Sequence, residues 1–227
     1  MISVAIDGPS GAGKSTIARR VAGELGFVYI DTGALYRSIG YYVLKQGKNP
    51  EKKEDVTGSL PGIQLELRHV DGIQRVFLND EDVSDDIRTP AVSMAASQVS
   101  AVPEVRAFLL ELQREMARKN NVIMDGRDIG TVVLPNASLK IFLTADPEDR
   151  ARRRYEELLE KGETVTYEEV LRDVIQRDYN DSHREIAPLR QAPDAVLANT
   201  TGFPLEKSVA LIRSLVEERL AGKDDGK

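Results

Sequence analysis

The sequence predicts an α/β protein of three layers, with a mainly parallel sheet between two layers of helices. Three observations carry this. Short β-rich apolar runs alternate with stretches of helical spacing along most of the chain. A glycine-rich loop joins the first strand to the first helix. One stretch interrupts the alternation with a period of two.

Strands are expected at about 2–6, 28–30, 122–124, 139–143 and 195–198, and helices at about 14–24, 34–45, 147–161, 167–179 and 205–221. Pro103 followed by Glu104 opens a further helix, with Val105, Leu109, Leu112 and Met116 as its apolar stripe. In the interruption, Ile63, Leu65 and Leu67, then Val76 and Leu78, alternate around Asp71-Gly72, a hairpin turn signal. This gives a β insertion at about 61–83, bounded by Lys48-Asn49-Pro50 and Arg88-Thr89-Pro90. The core is then about 1–60, 84–150 and 182–222, with a helical lid over about 151–181 around the bend Lys161-Gly162-Glu163-Thr164. The tail Gly222-Lys223-Asp224-Asp225-Gly226-Lys227 reads as disordered.

A chain of 227 residues can bury a core of this kind. Its net charge of −6 offers no basic field for nucleic acid or an anionic membrane. The absence of cysteine excludes disulfides and thiolate chemistry. No apolar run approaches the roughly 18 residues of a membrane span, and the first strand begins at once, leaving no room for a signal peptide. A soluble cytoplasmic protein is expected.

Gly8-Pro9-Ser10-Gly11-Ala12-Gly13-Lys14-Ser15 matches G-x-x-x-x-G-K-[ST] between a strand and a helix. Gly8, Gly11 and Gly13 let backbone N–H groups close on phosphate oxygens, and the helix that starts near Thr16 adds its dipole. Lys14 brings a charge to the β- and γ-phosphates, and Ser15 offers a hydroxyl to Mg²⁺. The chain therefore binds a nucleoside triphosphate. GTPases, transport and motor ATPases and small-molecule kinases share this loop. No Asn-Lys-x-Asp occurs, which disfavours guanine chemistry, and the chain is short for a motor.

Three further motifs narrow the choice. In Asp31-Thr32-Gly33-Ala34-Leu35-Tyr36-Arg37, a strand ends and Thr32 is expected to cap the next helix, with Arg37 on its first turns ready to fork onto a phosphate. In Val122-Ile123-Met124-Asp125-Gly126-Arg127-Asp128, the strand ends in an aspartate of Walker-B form, with Asp125 placed for Mg²⁺. Arg127 and Asp128 follow side by side, one suited to phosphate and the other to an exocyclic amine. A carboxylate accepts from the N4 amine of cytosine and repels the O4 of uracil. Arg177, Asp181 and Arg184, at i, i+4 and i+7, are expected on one helix face. His69 and His183 read as structural or surface residues rather than bases.

These motifs, with Ala95-Ala96-Ser97-Gln98-Val99, stand in the order and spacing of the bacterial cytidylate kinases, which the chain resembles from about 2 to 220. The resemblance implies a nucleoside monophosphate kinase fold with core, acceptor-binding and lid regions. It implies cytosine contacts at Ser97, Arg106 and Asp128, phosphate contacts at Thr32, Arg37 and Arg127, and ribose contacts at Arg177 and Asp181, with Arg184 lining the site. Thr32 stands where some members carry serine and keeps the hydroxyl. Of the consecutive Arg152, Arg153 and Arg154, Arg153 is the first choice for a lid cation. Lys14, Arg127 and Arg153 would then carry the catalysis, the loop 8–16 would hold ATP, and Ser15 with Asp125 would hold Mg²⁺. The implied reaction is ATP + CMP ⇌ ADP + CDP, with dCMP also accepted, in a monomer. A kinase for another acceptor, such as UMP or a small alcohol, and a silent nucleotide sensor stand as alternatives.

Overall fold

The computed structural model describes residues 1–70 and 73–224. The expected Asp71-Gly72 turn, the His69 side chain and tail residues 225–227 lie outside the described residues. The elements run β1 (Ser3–Asp7), α1 (Lys14–Leu25), β2 (Val28–Asp31), α2 (Thr32–Lys45), α3 (Lys53–Thr57), β3 (Leu65–Val70), β4 (Ile73–Leu78) and β5 (Glu81–Asp82). They continue with α4 (Pro90–Val99), α5 (Pro103–Lys119), β6 (Val122–Gly126), β7 (Leu139–Thr144), α6 (Pro147–Glu160), α7 (Tyr167–His183), β8 (Val196–Asn199) and α8 (Leu205–Asp224). The expected α/β alternation is present. The expected tail is shorter, because α8 runs on through Gly222 to Asp224.

The chain divides into two compact units, Met1–Tyr29 with Lys119–Lys227, and Ile30–Arg118. The parallel sheet is ordered β2-β6-β1-β7-β8, with β6, β1, β7 and β8 in the first unit. Register fixes what the sheet presents at its carboxyl edge. Ile6 pairs with Asp125 and Asp7 with Gly126, while Asp7 also pairs with Phe142. The loops after β1 and β6 therefore leave the sheet at one level. The chain from β1 turns toward β2, and the chain from β7 turns toward β8, so β1 and β7 flank the switch point where α/β proteins place ligands. Val4, Ile6, Ile123, Ile141 and Leu143 fill the sheet side of the core, and Ile17, Val21, Val209, Ile212 and Val216 of α1 and α8 pack on it. On α6 and α7, Ala151, Val170 and Val174 make a smaller cluster with Tyr155 and Leu158.

The second unit has its own core of Leu35, Ile39 and Val43 from α2, Val92 and Val99 from α4, and Val105 and Leu109 from α5. Against it lie Val76 and Leu78 of the antiparallel sheet β3-β4-β5. The period-two stretch thus forms strands, with a short third strand added. The compact unit around them is wider than an insertion of 61–83, because the helices on both sides share one core with the hairpin. Helix α4 was not expected. Its start, Thr89 accepting from Val92 N with Pro90 in the first turn, uses the same Thr-Pro pair that reads as a boundary.

Gly8 fixes the exit from β1. A Cβ there would lie 1.9 Å from the Leu143 carbonyl oxygen, an approach no neighbour can relieve because it is backbone. Gly23, on the exposed side of α1, would meet nothing within 4 Å. Gly8→Ala should cost more than about 3 kcal/mol or abolish folding, whereas Gly23→Ala should stabilise by about 0.5–1 kcal/mol. Urea unfolding of the two variants checks both, and equal stabilities would contradict the packing.

Candidate active site

The phosphate loop follows from the residues expected. Gly11 and Gly13 take positive φ of 74° and 83°, and α1 starts at Lys14. The Lys14 ammonium is buried and donates to the Pro9 carbonyl at 2.7 Å. Burial first, and the neighbouring Arg127 next, push Lys14 down to about 7, opposed by Asp125, Asp181 and Asp7. A triphosphate seated in the loop would restore the charged form. Ser15 Oγ donates to Asp125 Oδ2 at 2.8 Å, and the Tyr29 hydroxyl donates to Asp125 Oδ1 at 2.9 Å. The Asp125 carboxylate is therefore buried and oriented from both sides.

Arg127 and Asp128 do not pair with each other. Arg127 Nε donates to Asp181 Oδ2 at 2.7 Å, and Arg184 Nη2 donates to Asp128 Oδ1 at 3.4 Å. Adjacent residues leaving a strand point different ways, so each finds its partner on the segment around the end of α7. Burial raises the Asp181 carboxyl, but Arg127, Arg184 and Arg177 together hold the group below its usual range. Arg184 does not share a helix face with Arg177 and Asp181. Helix α7 ends at His183, and Arg184 is the extended C-cap residue, with Nε donating to the Ala187 carbonyl at 2.6 Å. It reaches Asp128 because the chain turns out of the helix. Arg177 is half-buried on α7. His183 is exposed and stacks on Tyr179 with centroids 4.1 Å apart.

Two buried groups of this unit have no part in the sequence reading. Asp7, the last residue of β1, accepts from Ile129 N and Gly130 N, both at 2.7 Å. Burial outweighs these two donors and lifts its carboxyl to about 6. A charge ending an apolar strand beside the loop is the signal that could have found it. Arg150 is the other. It donates to the carbonyls of Ala145 and Ser10, each at 2.8 Å, and forks onto Asp178. Asp178 continues the Val170-Val174 stripe at i+4, which marks it as inward-facing. Among the candidate lid cations, Arg153 donates to Asp149 and to the Thr200 carbonyl, Arg154 pairs with Glu157, and Arg152 is exposed.

The remaining candidates lie in the second unit. Asp31, not Thr32, caps α2. Its backbone is extended, and its carboxylate accepts from Ala34 N at 3.0 Å and from Arg37 Nη2 at 2.8 Å. Burial raises its carboxyl, and Arg37, Ala34 N–H and Arg88 together bring it below the usual range. Thr32 becomes the first helical residue and is buried. Arg37 Nε is buried with no hydrogen-bond partner, which suits an incoming anion. Ser97 is half-buried on α4, where its carbonyl accepts from Ser100 Oγ at 2.8 Å. Arg106 is buried on α5, with Nη1 on the Ser100 carbonyl at 3.2 Å and its guanidinium 5.6 Å from the Tyr36 ring centroid.

A family model described as cytidylate kinase matches residues 4–218 of the 227. The chain belongs to the cytidylate kinase family. It is similar to the cytidylate kinase of Carboxydothermus hydrogenoformans, with 50% identity over 213 residues, covering 94% of this chain and 96% of that protein. The cytidylate kinase of Caldicellulosiruptor bescii is 50% identical over 214 residues, covering 94% and 95%. Among solved structures, an uncharacterized protein from Eubacterium ventriosum is similar in fold, with a TM-score of 0.54, 11% identity and coverage of 96% and 99%. As a cytidylate kinase family member the chain is a phosphotransferase. Among the described residues, no helix is long and apolar enough to cross a membrane.

Arg150 ties the start of α6 to the phosphate loop of this kinase family member. Arg150→Ala would leave the quarter-exposed Asp178 without its bidentate partner and two carbonyls without a donor. A loss of about 2–3 kcal/mol is expected in urea unfolding. Arg153→Ala, which breaks a more exposed pair, should cost under about 1 kcal/mol. Equal losses would refute the anchoring role.

Proposed function

We propose that this chain transfers the γ-phosphoryl group of ATP to CMP and dCMP, giving ADP with CDP or dCDP. The observation that carries the reading is Asp128, a buried carboxylate at the carboxyl edge of the sheet, held by Arg184 in the same unit as the phosphate loop. Its oxygens accept hydrogen bonds, so they match the N4 amine of cytosine and oppose the O4 of uracil. The names and the identity of the relatives support the same acceptor.

In this reading Lys14 and the loop amides seat the triphosphate, and Arg127 neutralises charge as the phosphoryl group moves in line. Thr32 and Arg37 take the acceptor phosphate, Ser97 and Arg106 add to the base contacts, and Arg177 and Asp181 hold the ribose. Arg153 is the lid cation, on a helical pair that closes to exclude water. Ser15 Oγ and Asp125 would hold Mg²⁺. Their oxygen-only pair fits that ion, which takes one or two carboxylates and completes its shell from phosphates and water. Among the described residues no cluster of three or more acidic or histidine side chains offers a protein-only cage. The ion supplies charge neutralisation on the phosphate oxygens. A monomer, as the family resemblance implies, and a cytoplasmic location, which the lack of cysteine fits, belong to this reading.

The test is an ADP-release assay with ATP and, separately, CMP, dCMP, UMP, AMP and GMP. Turnover with CMP and dCMP above the others is expected. Asp128→Ala should cut kcat/KM for CMP by about ten- to a hundredfold and leave KM for ATP unchanged. Equal turnover of CMP and UMP by the unaltered protein would sink the cytosine reading, and no turnover with any acceptor would sink the kinase reading.

A further inference from the structure

Asp128 occupies the N-cap position of a short π-helical turn, Ile129–Val133. An aspartate there ordinarily folds back to accept from the amide two or three residues on. Asp128 does not, for its side chain makes no capping hydrogen bond. Its carbonyl accepts from Val132 N and Val133 N, at 2.9 and 3.1 Å, and its carboxylate faces Arg184 instead. The cap comes from elsewhere. Asp7, 122 residues earlier in sequence, sets one carboxylate oxygen on Ile129 N and the other on Gly130 N. It is 4% exposed, and β1 holds it by parallel pairing on both sides. Gly130 permits the approach. A Cβ at that position would lie 3.3 Å from Asp7 Oδ2 and 3.1 Å from Lys140 Cδ.

We propose that Asp7 is a positioning residue for acceptor choice: by capping the Ile129–Val133 turn in place of Asp128, it leaves the Asp128 carboxylate on Arg184, where the acceptor base would be read. The inference rests on the reading of Asp128 as the cytosine contact. Without the two acceptor oxygens of Asp7, the amide of Gly130 is unsatisfied in a buried place, and the carboxylate of Asp128, at the N-cap two residues before it, can fold back to take it. The carboxylate then leaves Arg184 for its own turn and is lost to the base. Asp7 also directly precedes Gly8, so its replacement can disturb the phosphate loop. That disturbance acts alike on every acceptor and cancels in a ratio between two of them.

The experiment is a double-mutant cycle on the ratio of kcat/KM for CMP to kcat/KM for UMP. It uses the full chain, Asp7→Asn, Asp128→Ala and the double variant. Asp7→Asn keeps the size of the side chain and turns one acceptor into a donor facing an N–H. It should lower the ratio about tenfold and change nothing further once Asp128 is already alanine. A drop in turnover with the ratio unchanged would overturn the proposal, as would the same drop in ratio in the Asp128→Ala background. If Asp128→Ala alone leaves the ratio intact, the cytosine reading itself fails, and the proposal falls with it. Should Asp7→Asn not fold, Gly130→Ala presses the cap apart without changing any charge. A lowered ratio is expected there too, and an unchanged one would overturn the proposal.

Discussion

The carboxyl edge of β1 and β6 depends on keeping four ionisable side chains out of water. Asp7, Lys14, Asp125 and Asp128 are each between 3% and 6% exposed. A charge buried without a partner costs several kcal/mol, so each must be satisfied locally. Asp7 takes two backbone amides, Lys14 a carbonyl, Asp125 two hydroxyls and Asp128 a guanidinium. Such partners can be had only where the strands end level, and the pairing of Ile6 with Asp125 and Asp7 with Gly126 provides that. The hydrophobic sheet beneath is thus the device that sets charges at hydrogen-bonding distance.

The same pairing makes the site exchangeable. Lys14 rests on a neutral carbonyl and Arg127 on a carboxylate. A phosphate oxygen is a stronger partner for a buried ammonium than a carbonyl is, because the hydrogen bond becomes charge-assisted. For Arg127 the competitor is already charged, and under the proposed function a phosphate would have to share the guanidinium with Asp181 or displace it. Arg150 stands apart from this exchange. Its four acceptors all belong to the protein and hold the first turn of α6 against Ser10. Arg150 thus fixes the root of α6 to the loop that carries Ser10.

How much was legible in the sequence depended on range. The phosphate loop and Asp125 are local patterns, a glycine spacing and a strand end, and both are where they read. The cap of α2 falls one residue before the expected Thr32, because Asp31 and Thr32 are both good capping residues. Only the backbone decides between them, and Asp31 is the one left extended. Arg184 was read onto α7 because no glycine follows His183 to stop the helix, and Pro188 comes five residues late. The partners of Arg127 and Asp128 were out of reach for a different reason. Asp181 and Arg184 lie 54 and 56 residues away, and no periodicity carries information over that distance. Asp7 lies 122 residues from Ile129 and was legible only as an oddity, a carboxylate at the end of an otherwise apolar strand.

The histidines bear on which acceptor the site suits. A kinase acting on an alcohol needs a base near pH 7 to receive the hydroxyl proton. Of the two histidines in the chain, His183 has its ring stacked on Tyr179 at the surface, with Nδ1 against the Tyr179 carbonyl and the Ser182 hydroxyl. It is engaged in closing the end of α7. The buried carboxylates have their oxygens occupied by donors or face a cation. A monophosphate acceptor requires no such base, since its attacking oxygen is already ionised. What the reaction then asks of the protein is cations that hold two anions in line against their mutual repulsion. Lys14 is buried and Arg127 half-buried, close enough to depress the lysine, and Asp125 and Asp181 oppose that effect. An edge furnished in this way favours phosphate as acceptor over an alcohol, on grounds independent of the base that Asp128 would read.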